Sequence, residues 1–329
     1  MQFPPAEIIE HLTEHGCRDL TIDLDPSSFS AQPVSHGGYG YVYREKLRDG
    51  RRVAIKALRV PLDDDDEANQ LPKRAARELY TWSKCRHLNV LPLLGLALFQ
   101  GQIRMVSSWA ENGSLPSYLE KHPGIDRCNM STQICGGVAY LHQTGVIHGD
   151  LKGNNVLVSD QGVPVITDFG NAVLEQGTMQ FTETVKQGGF TPRWTAPEIL
   201  EDQVKQSREA DVYALGMTIL TTQETITGKL PYYYIRNVVA LIKAVAIKNE
   251  TPKRPEESIP SNSLHGDALW LLLMSCWEQE PDKRPDADKV VEIMKGVTRD
   301  GLMSPQVATE AEPGPESAEE RPGKRQRRE

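Results

Sequence analysis

The sequence predicts an α+β protein of two lobes, β-rich first and mostly helical second. Two observations lead there. From about residue 33 to 108 apolar residues fall in short strand-length runs, and from about 112 onward they fall in helix-length segments. No internal repeat interrupts either part.

The elements follow in order. Ile8, Ile9 and Leu12 stand at helix spacing before polar, proline-containing sequence, so residues 1–32 are expected to form a short helical extension packed on the first lobe. "YGYVYREKL" and "RRVAIKALRV" read as two strands around a turn at Asp49–Gly50. The acidic run at 63–67 reads as a solvated loop. "PKRAARELYTWSKC" follows as a helix with Pro72 near its start, then strands at 90–99 and 102–108, which places the first lobe at about 33–106. The second lobe, about 111–297, holds the helices "SLPSYLEKH", "NMSTQICGGVAYLHQTG" ending on Gly145, "DVYALGMTILTTQETITG" ending at Gly228, "DALWLLLMSCWEQ" and "DADKVVEIMKGV". From 298 to 329 Pro, Gly and Glu give way to "GKRQRRE", the composition of a disordered tail; its basic cluster reads first as solvated and second as a nuclear address.

Composition narrows the function classes. With 39% hydrophobic and 25% charged residues, the 329-residue chain reads as an ordinary globular protein. A net charge of −8 weighs against nucleic acid or anionic lipid as a partner. Five cysteines, odd in number and without a Cys-x-x-Cys pair, favour reduced thiols over a disulfide framework. "MQFPPAEIIEHLTEHG" lacks the basic start and apolar core of a secretory signal, and runs such as "ALWLLLMSCW" fall short of the roughly 20 residues of a membrane helix. The expectation is a soluble protein of the cytoplasm or the nucleus, with no membrane or nucleic-acid partner.

Three stretches carry chemistry. "SHGGYGYVY" (35–43) lies between two predicted strands, a context that fits a glycine-rich flap over nucleotide phosphates, with Gly37, Gly38 and Gly40 bringing backbone N–H groups close. In "VAIK" (53–56) alternation places Ala54 and Lys56 on one face. Ala54 and Val42 are small enough to admit a purine, Lys56 can reach the α- and β-phosphates, and Glu78 on the next helix is its candidate ion-pair partner. In "HGDLKGNNVLVSD" (148–160) Asp150 is a candidate base that orients a hydroxyl nucleophile, and Lys152 can offset charge on a phosphoryl group. Asn155 and Asp168, the latter in "TDFG", offer the hard oxygen donors that Mg²⁺ prefers.

Taken in order, "GGYGYV", "VAIK", Glu78, "HGDLKGNN", "DFG", "TPRWTAPE", "SREADVYALG" and Arg284 in "CWEQEPDKRP" resemble a eukaryotic protein kinase over roughly residues 33 to 297. "HLNVLPLLG" and the "CW…RP" ending are most similar to the tyrosine-kinase-like group of Ser/Thr kinases, in a style that resembles the kinase families of mushroom-forming fungi. The resemblance implies a two-lobed kinase fold, ATP and Mg²⁺ as cofactors, and protein substrates phosphorylated on Ser or Thr. It further implies adenine contacts from backbone around Ser108 to Ala110 and from Leu157, Ser107 as gatekeeper, a stack of Trp82, Leu93, Phe169 and His148 between the lobes, and pairing of Glu198 with Arg284.

Two departures stand out. Ser35 occupies the place of the family's first loop glycine, and Gly149 replaces the usual Arg between His148 and Asp150. His-Gly-Asp also occurs in small-molecule kinases, but those lack "DFG" followed by "APE", which this chain carries about 25 residues apart. In protein kinases that Arg usually receives an activation-loop phosphate, so the loop holding Thr178, Thr182, Thr184, Thr191 and Thr195 must be ordered some other way here, or is always in place. A catalytically weak pseudokinase acting as a scaffold is the alternative the two departures leave open.

Overall fold

The computed structural model describes residues 5–14, 16–30, 32–37, 40–58, 78–99, 102–175, 191–201, 206–224 and 230–303. Gly38, the acidic run at 63–67, Thr178, Thr182, Thr184, Gly228 and everything after 303 lie outside the described residues.

The first lobe is a five-stranded antiparallel sheet in the order β1-β2-β3-β5-β4. The strands are β1 (Ser35–Gly37), β2 (Gly40–Lys46), β3 (Arg52–Leu58), β4 (Leu93–Phe99) and β5 (Gln102–Ser108). The β2–β3 hairpin turns on Gly50, whose φ of +86° suits a residue without Cβ. Its register sets Val42 opposite Lys56 and Arg44 opposite Ala54. Alternation then divides β3: Val53, Ile55 and Ala57 are buried on one face, while Ala54 and Lys56 line the other.

The buried face is covered by the N-terminal extension. Leu20 and Leu24 join Leu47, Val53, Ile55, Ala97 and Val106 in one apolar cluster, with Phe29 and Tyr43 at its margin. The extension runs beside β4, where Leu20 N–H donates to Leu96 O at 2.8 Å and Leu96 N–H to Arg18 O at 2.9 Å. Gly95 permits this approach, because a Cβ there would lie 2.1 Å from the Arg18 carbonyl oxygen. Helix α1 (Pro5–Glu14) buries Ile9 and Leu12 in the main core, as its apolar spacing predicts. Helix α2, described over 78–83, adds Leu79 and Trp82 to the same core.

The second lobe is built on α4 (Arg127–Gln143) and α6 (Arg208–Glu224), flanked by α3 (Leu115–Lys121), α5 (Pro197–Leu200), α7 (Val238–Ile242), α8 (Leu264–Cys276) and α9 (Ala287–Gly296). Side chains set the ends: Asp126 accepts from Asn129 N–H, Ser263 from Gly266 N–H and Asp286 from Lys289 N–H. The chain leaves α4 through Gly145, with φ +74°. Two small two-stranded antiparallel sheets, β6 (Val146–Ile147) with β9 (Val173–Leu174) and β7 (Val156–Val158) with β8 (Pro164–Ile166), carry the segments around residues 150 and 168.

The C-terminal boundary moves. A final helix, α10 (Arg299–Met303), buries Leu302 where tail-like composition suggests disorder from 298. Ser263 Oγ donates to Gly301 O at 2.6 Å and fixes it against α8. All five cysteines are buried, and none forms a disulfide. No helix among the described residues is long and apolar enough to cross a membrane.

Candidate active site

The β2–β3 register presents Val42, Ala54 and Lys56 on one sheet face, and Lys56 is the focus of the first cluster. Its Nζ donates to Glu78 Oε1 at 2.7 Å and to Asp168 Oδ1 at 2.6 Å. The predicted Lys56–Glu78 pair is therefore formed, and it is shared with Asp168. Burial opposes the Lys56 charge, but the two carboxylates outweigh it and raise its pKa. Burial pushes the Glu78 carboxyl up, in part against Lys56. Burial also works to raise Asp168, yet the charge and hydrogen bond of Lys56 hold it below its ordinary value. Asp168 adopts a left-handed conformation, φ 69° and ψ 71°, uncommon for a residue with a side chain.

The second cluster gathers around Asp150, between β6 and β7. Lys152 Nζ donates to Asp150 Oδ2 at 2.7 Å, and Asn155 Nδ2 donates to the same oxygen at 2.9 Å and to Asp150 O at 2.8 Å. Thr191 Oγ1 accepts from Lys152 Nζ at 2.9 Å and faces Asp150 Oδ1 at 3.3 Å. Lys152 and Thr191 thus meet at the carboxylate. The Asn155 amide nitrogen is spent on Asp150, which leaves its Oδ1 as the atom able to ligate a cation.

An aromatic stack joins the clusters. Phe169 lies 5.6 Å from the Trp82 ring and 5.5 Å from His148, centroid to centroid, and Leu93 packs at the margin of the same core. His148 Nδ1 accepts from Asp150 N–H at 3.2 Å, so its Nε2 is the donor to Thr167 O at 3.0 Å. Trp82 Nε1–H donates to Leu91 O at 2.6 Å and anchors α2 to the segment before β4.

The remaining expected residues take definite places. Gly37 pairs with Gly40 at the end of the β1–β2 hairpin, where Gly40 has φ +153°, while Ser35 pairs with Val42. Ser107 is buried at the end of β5 and pairs with Ala54 and Leu93. Trp109 N–H donates to Arg52 O at 3.3 Å, so alternation turns the backbone groups of Ser108 away from β3, while Ala110 O accepts from Gly113 N–H at 3.2 Å in the turn that follows. Leu157 lies half-buried on β7, bridged to Ser114. Glu198 and Arg284 pair as expected, through Nη1–Oε1 and Nη2–Oε2 contacts of 2.7 Å each.

Sequence reasoning missed Asp211. This buried carboxylate at the first turn of α6 accepts from His148 N–H at 2.7 Å, Gly149 N–H at 2.8 Å and His142 Nε2 at 3.0 Å. It holds the backbone that aims Asp150. The signal was present in "SREADVYALG", although nothing local in that motif shows what its Asp touches. Gln206, Arg208 and Glu175 were also missed. Gly149 has φ +77°, and a Cβ there would meet Gln206 Oε1 at 2.3 Å and Asn171 O at 2.9 Å. Arg208 Nε donates to Glu175 Oε1 at 2.7 Å, and its Nη2 to Glu175 Oε2.

A half-buried lysine shared by two carboxylates, an aspartate set between Lys, Asn and Thr, and a β-lobe joined to a helical lobe are the family's arrangement. The protein kinase domain model matches residues 30–294. The chain belongs to the protein kinase family. It is 31% identical over 271 residues to serine/threonine-protein kinase STY46 of Arabidopsis thaliana, covering 81% of this chain and 44% of that protein. It is 30% identical to serine/threonine/tyrosine-protein kinase HT1 of the same plant, over 84% and 68% of the two chains. With mitogen-activated protein kinase kinase kinase A of Dictyostelium discoideum it shares 29% identity over 88% and 29%. The chain thus spans less than half of STY46 and about two thirds of HT1.

Proposed function

We propose that this protein kinase transfers the γ-phosphate of ATP to Ser and Thr hydroxyls of protein substrates, with Mg²⁺. The observation that carries the reading is the Asp150 carboxylate, held by Lys152, Asn155 and Thr191 and backed by the Lys56–Glu78–Asp168 cluster. Asn155 Oδ1 and the ionised Asp168 carboxylate are hard oxygen donors of the kind Mg²⁺ takes together with nucleotide phosphates. They fit that ion, whose part would be to neutralise phosphate charge. Lys56 would face the α- and β-phosphates, with Gly37 and Gly40 above them. Val42, Ala54, Leu157 and the backbone of Ser108 and Ala110 would enclose the adenine.

Asp150 orients the acceptor hydroxyl and takes its proton as the oxygen attacks. Lys152, already at hydrogen-bond distance from that carboxylate, offsets charge on the moving phosphoryl group. The departures that favour a scaffold leave this set whole: Ser35 remains in the hairpin, and the Gly149 backbone is held by Asp211. Composition favours a cytoplasmic or nuclear location and argues against nucleic-acid or membrane partners.

Asp150→Asn is the test. Removing the base should lower transfer to a generic protein substrate by about 10²–10⁴-fold, while thermal-shift titration finds nucleotide binding nearly unchanged. Wild-type turnover in the mutant would remove Asp150 from the reaction. Phosphoamino-acid analysis of the product should show phosphoserine and phosphothreonine; mainly phosphotyrosine would overturn the assigned specificity.

A further inference from the structure

The segment that joins the lobes is gripped from both sides, by consecutive residues. Glu111 reaches the first lobe: Arg52 Nε on β3 lies 2.8 Å from its Oε1, and Arg44 Nη2 on β2 lies 3.4 Å from its Oε2. The same two arginines hold Trp109. Arg52 O accepts the Trp109 N–H at 3.3 Å, and the Arg44 guanidinium lies 5.1 Å from the centre of the indole ring.

Asn112, the next residue, is fixed to the second lobe. Its N–H donates to Val158 O at 3.3 Å, and its side-chain amide donates to Ser159 O. Gly113 O then accepts from Val158 N–H at 2.8 Å, and Ser114 bridges to Leu157. Glu111 is therefore bonded covalently to a residue stitched to β7, while its carboxylate holds β2 and β3. Any change in the angle between the lobes must alter the distance from Glu111 to Arg44 and Arg52.

That angle matters to the site. Lys56 on β3 meets Asp168 of the second lobe at 2.6 Å, so this cluster is assembled at one setting of the lobes. A ligand that needs one arrangement has its apparent dissociation constant divided by the fraction of molecules already in it. The pairs themselves are weak. Side-chain exposures of 43% for Arg44, 51% for Arg52 and 28% for Glu111 leave them open to water and to screening by salt.

We infer that Glu111 is a positioning residue whose pairs with Arg44 and Arg52 hold the lobes at the angle that assembles the nucleotide site. It sets the affinity for ATP and leaves the rate of transfer from bound ATP unchanged. The inference rests on the proposed use of ATP. It gives a role to three side chains outside the Lys56 and Asp150 clusters.

The experiment measures initial rates against ATP concentration for the full chain and for Glu111→Gln, Arg44→Gln with Arg52→Gln, and all three changes together. Glu111→Gln should raise KM for ATP by about three- to tenfold. Its kcat should stay within about twofold of wild type, because saturating ATP selects the assembled form. The double arginine variant and the triple variant should match Glu111→Gln and not add to it, since all remove the same contacts. Added KCl should raise the wild-type KM more steeply than that of Glu111→Gln, which has no ion pair left to screen. A loss of kcat at constant KM would overturn the inference, because it reports lost folded protein or a part in the chemistry. So would arginine variants with the wild-type KM. A Glu111→Gln effect that vanishes with 2′,3′-dideoxy-ATP would also overturn it, by revealing a direct bond to the ribose. Wild-type protein that transfers no phosphate from ATP would instead overturn the ATP reading, and the inference with it.

Discussion

Arg284 and Arg208 each grip a glutamate through two guanidinium nitrogens, one far inside the second lobe and one at its surface. Arg284 has 0% side-chain exposure and Glu198 8%; for Arg208 and Glu175 the values are 43% and 33%. Arg284 is also held by Glu278 O and Glu209 O and lies over the Tyr213 ring, whereas Arg208 has its glutamate at the edge of solvent. The chemistry is shared, and burial separates the consequences. In the enclosed pair neither charge can return to water if its partner is lost. In the open pair water substitutes at little cost, which suits a contact that joins the segment after β9 to the start of α6 without fixing the lobe.

Breaking the enclosed pair should have the largest effect. Glu198→Ala strands the Arg284 charge, and the expected loss is about 3–5 kcal/mol of stability. Urea unfolding would measure it. Replacing both partners together, Glu198→Leu with Arg284→Met, should recover much of the loss, because two buried charges leave the core at once. A single mutant as stable as wild type would show that water reaches Arg284, and the contrast with Arg208 would disappear.

A middling effect is expected where an arginine is put back. The family's usual residue at 149 would seem a harmless repair, but Gly149 has φ +77°, and its Cβ position is already occupied by the Gln206 amide and the Asn171 carbonyl. A side chain in the left-handed region costs about 1–2 kcal/mol before any clash. Gly149→Arg should therefore lower the melting temperature by a few degrees and should not by itself create phosphate dependence. Gly149→Arg combined with Gln206→Gly should regain part of the stability if Gln206 is the obstacle. A fully stable Gly149→Arg protein would mean the loop relaxes freely, and Gln206 would lose its assigned place.

How much of this was legible in the sequence depends on the distance between partners. Lys56, Asp150, Lys152, Asn155 and Asp168 sit in short ordered motifs, and local spacing was enough to name them. Alternation in "VAIK" gave the faces of β3 before any partner strand was known. Glu78 needed one further step, a carboxylate on the next helix. Glu175 and Arg208 are 33 residues apart, and Gly149 and Asp211 are 62 apart; neither pair leaves a periodic or compositional trace. Leu20 and Leu24 cover the sheet from a polar-looking stretch in which few positions are both apolar and buried. Helix α10 is five residues long, too short for helical periodicity to show, and it is recognised only from Leu302 and the Ser263 bond. Local chemistry was readable; the tertiary contacts that aim it were not.

The smallest effect is expected from removing phosphate, and it bears directly on the open pair. A phosphate acts as a switch by forming charge-assisted hydrogen bonds to cations. Near the loop, Arg208 is already taken by Glu175, and Arg193 donates to the carbonyls of Pro231, Tyr232 and Ile235 at 2.6–2.7 Å. A phosphate on Thr178, Thr182 or Thr184 would have to displace Glu175 to gain Arg208, exchanging one anion for another. Phosphatase-treated enzyme should keep most of its initial rate at saturating ATP, and replacing the three threonines together with Ala should cost less than about tenfold, or ~1.4 kcal/mol. Glu175→Ala sharpens the point. It frees Arg208, so the same phosphatase treatment should then reduce activity more than it does in the wild type, while stability changes by less than about 1 kcal/mol, as for an exposed pair. A wild-type loss of two orders of magnitude on dephosphorylation, or a Glu175→Ala protein no more sensitive than wild type, would show that Glu175 is not standing in for the phosphate.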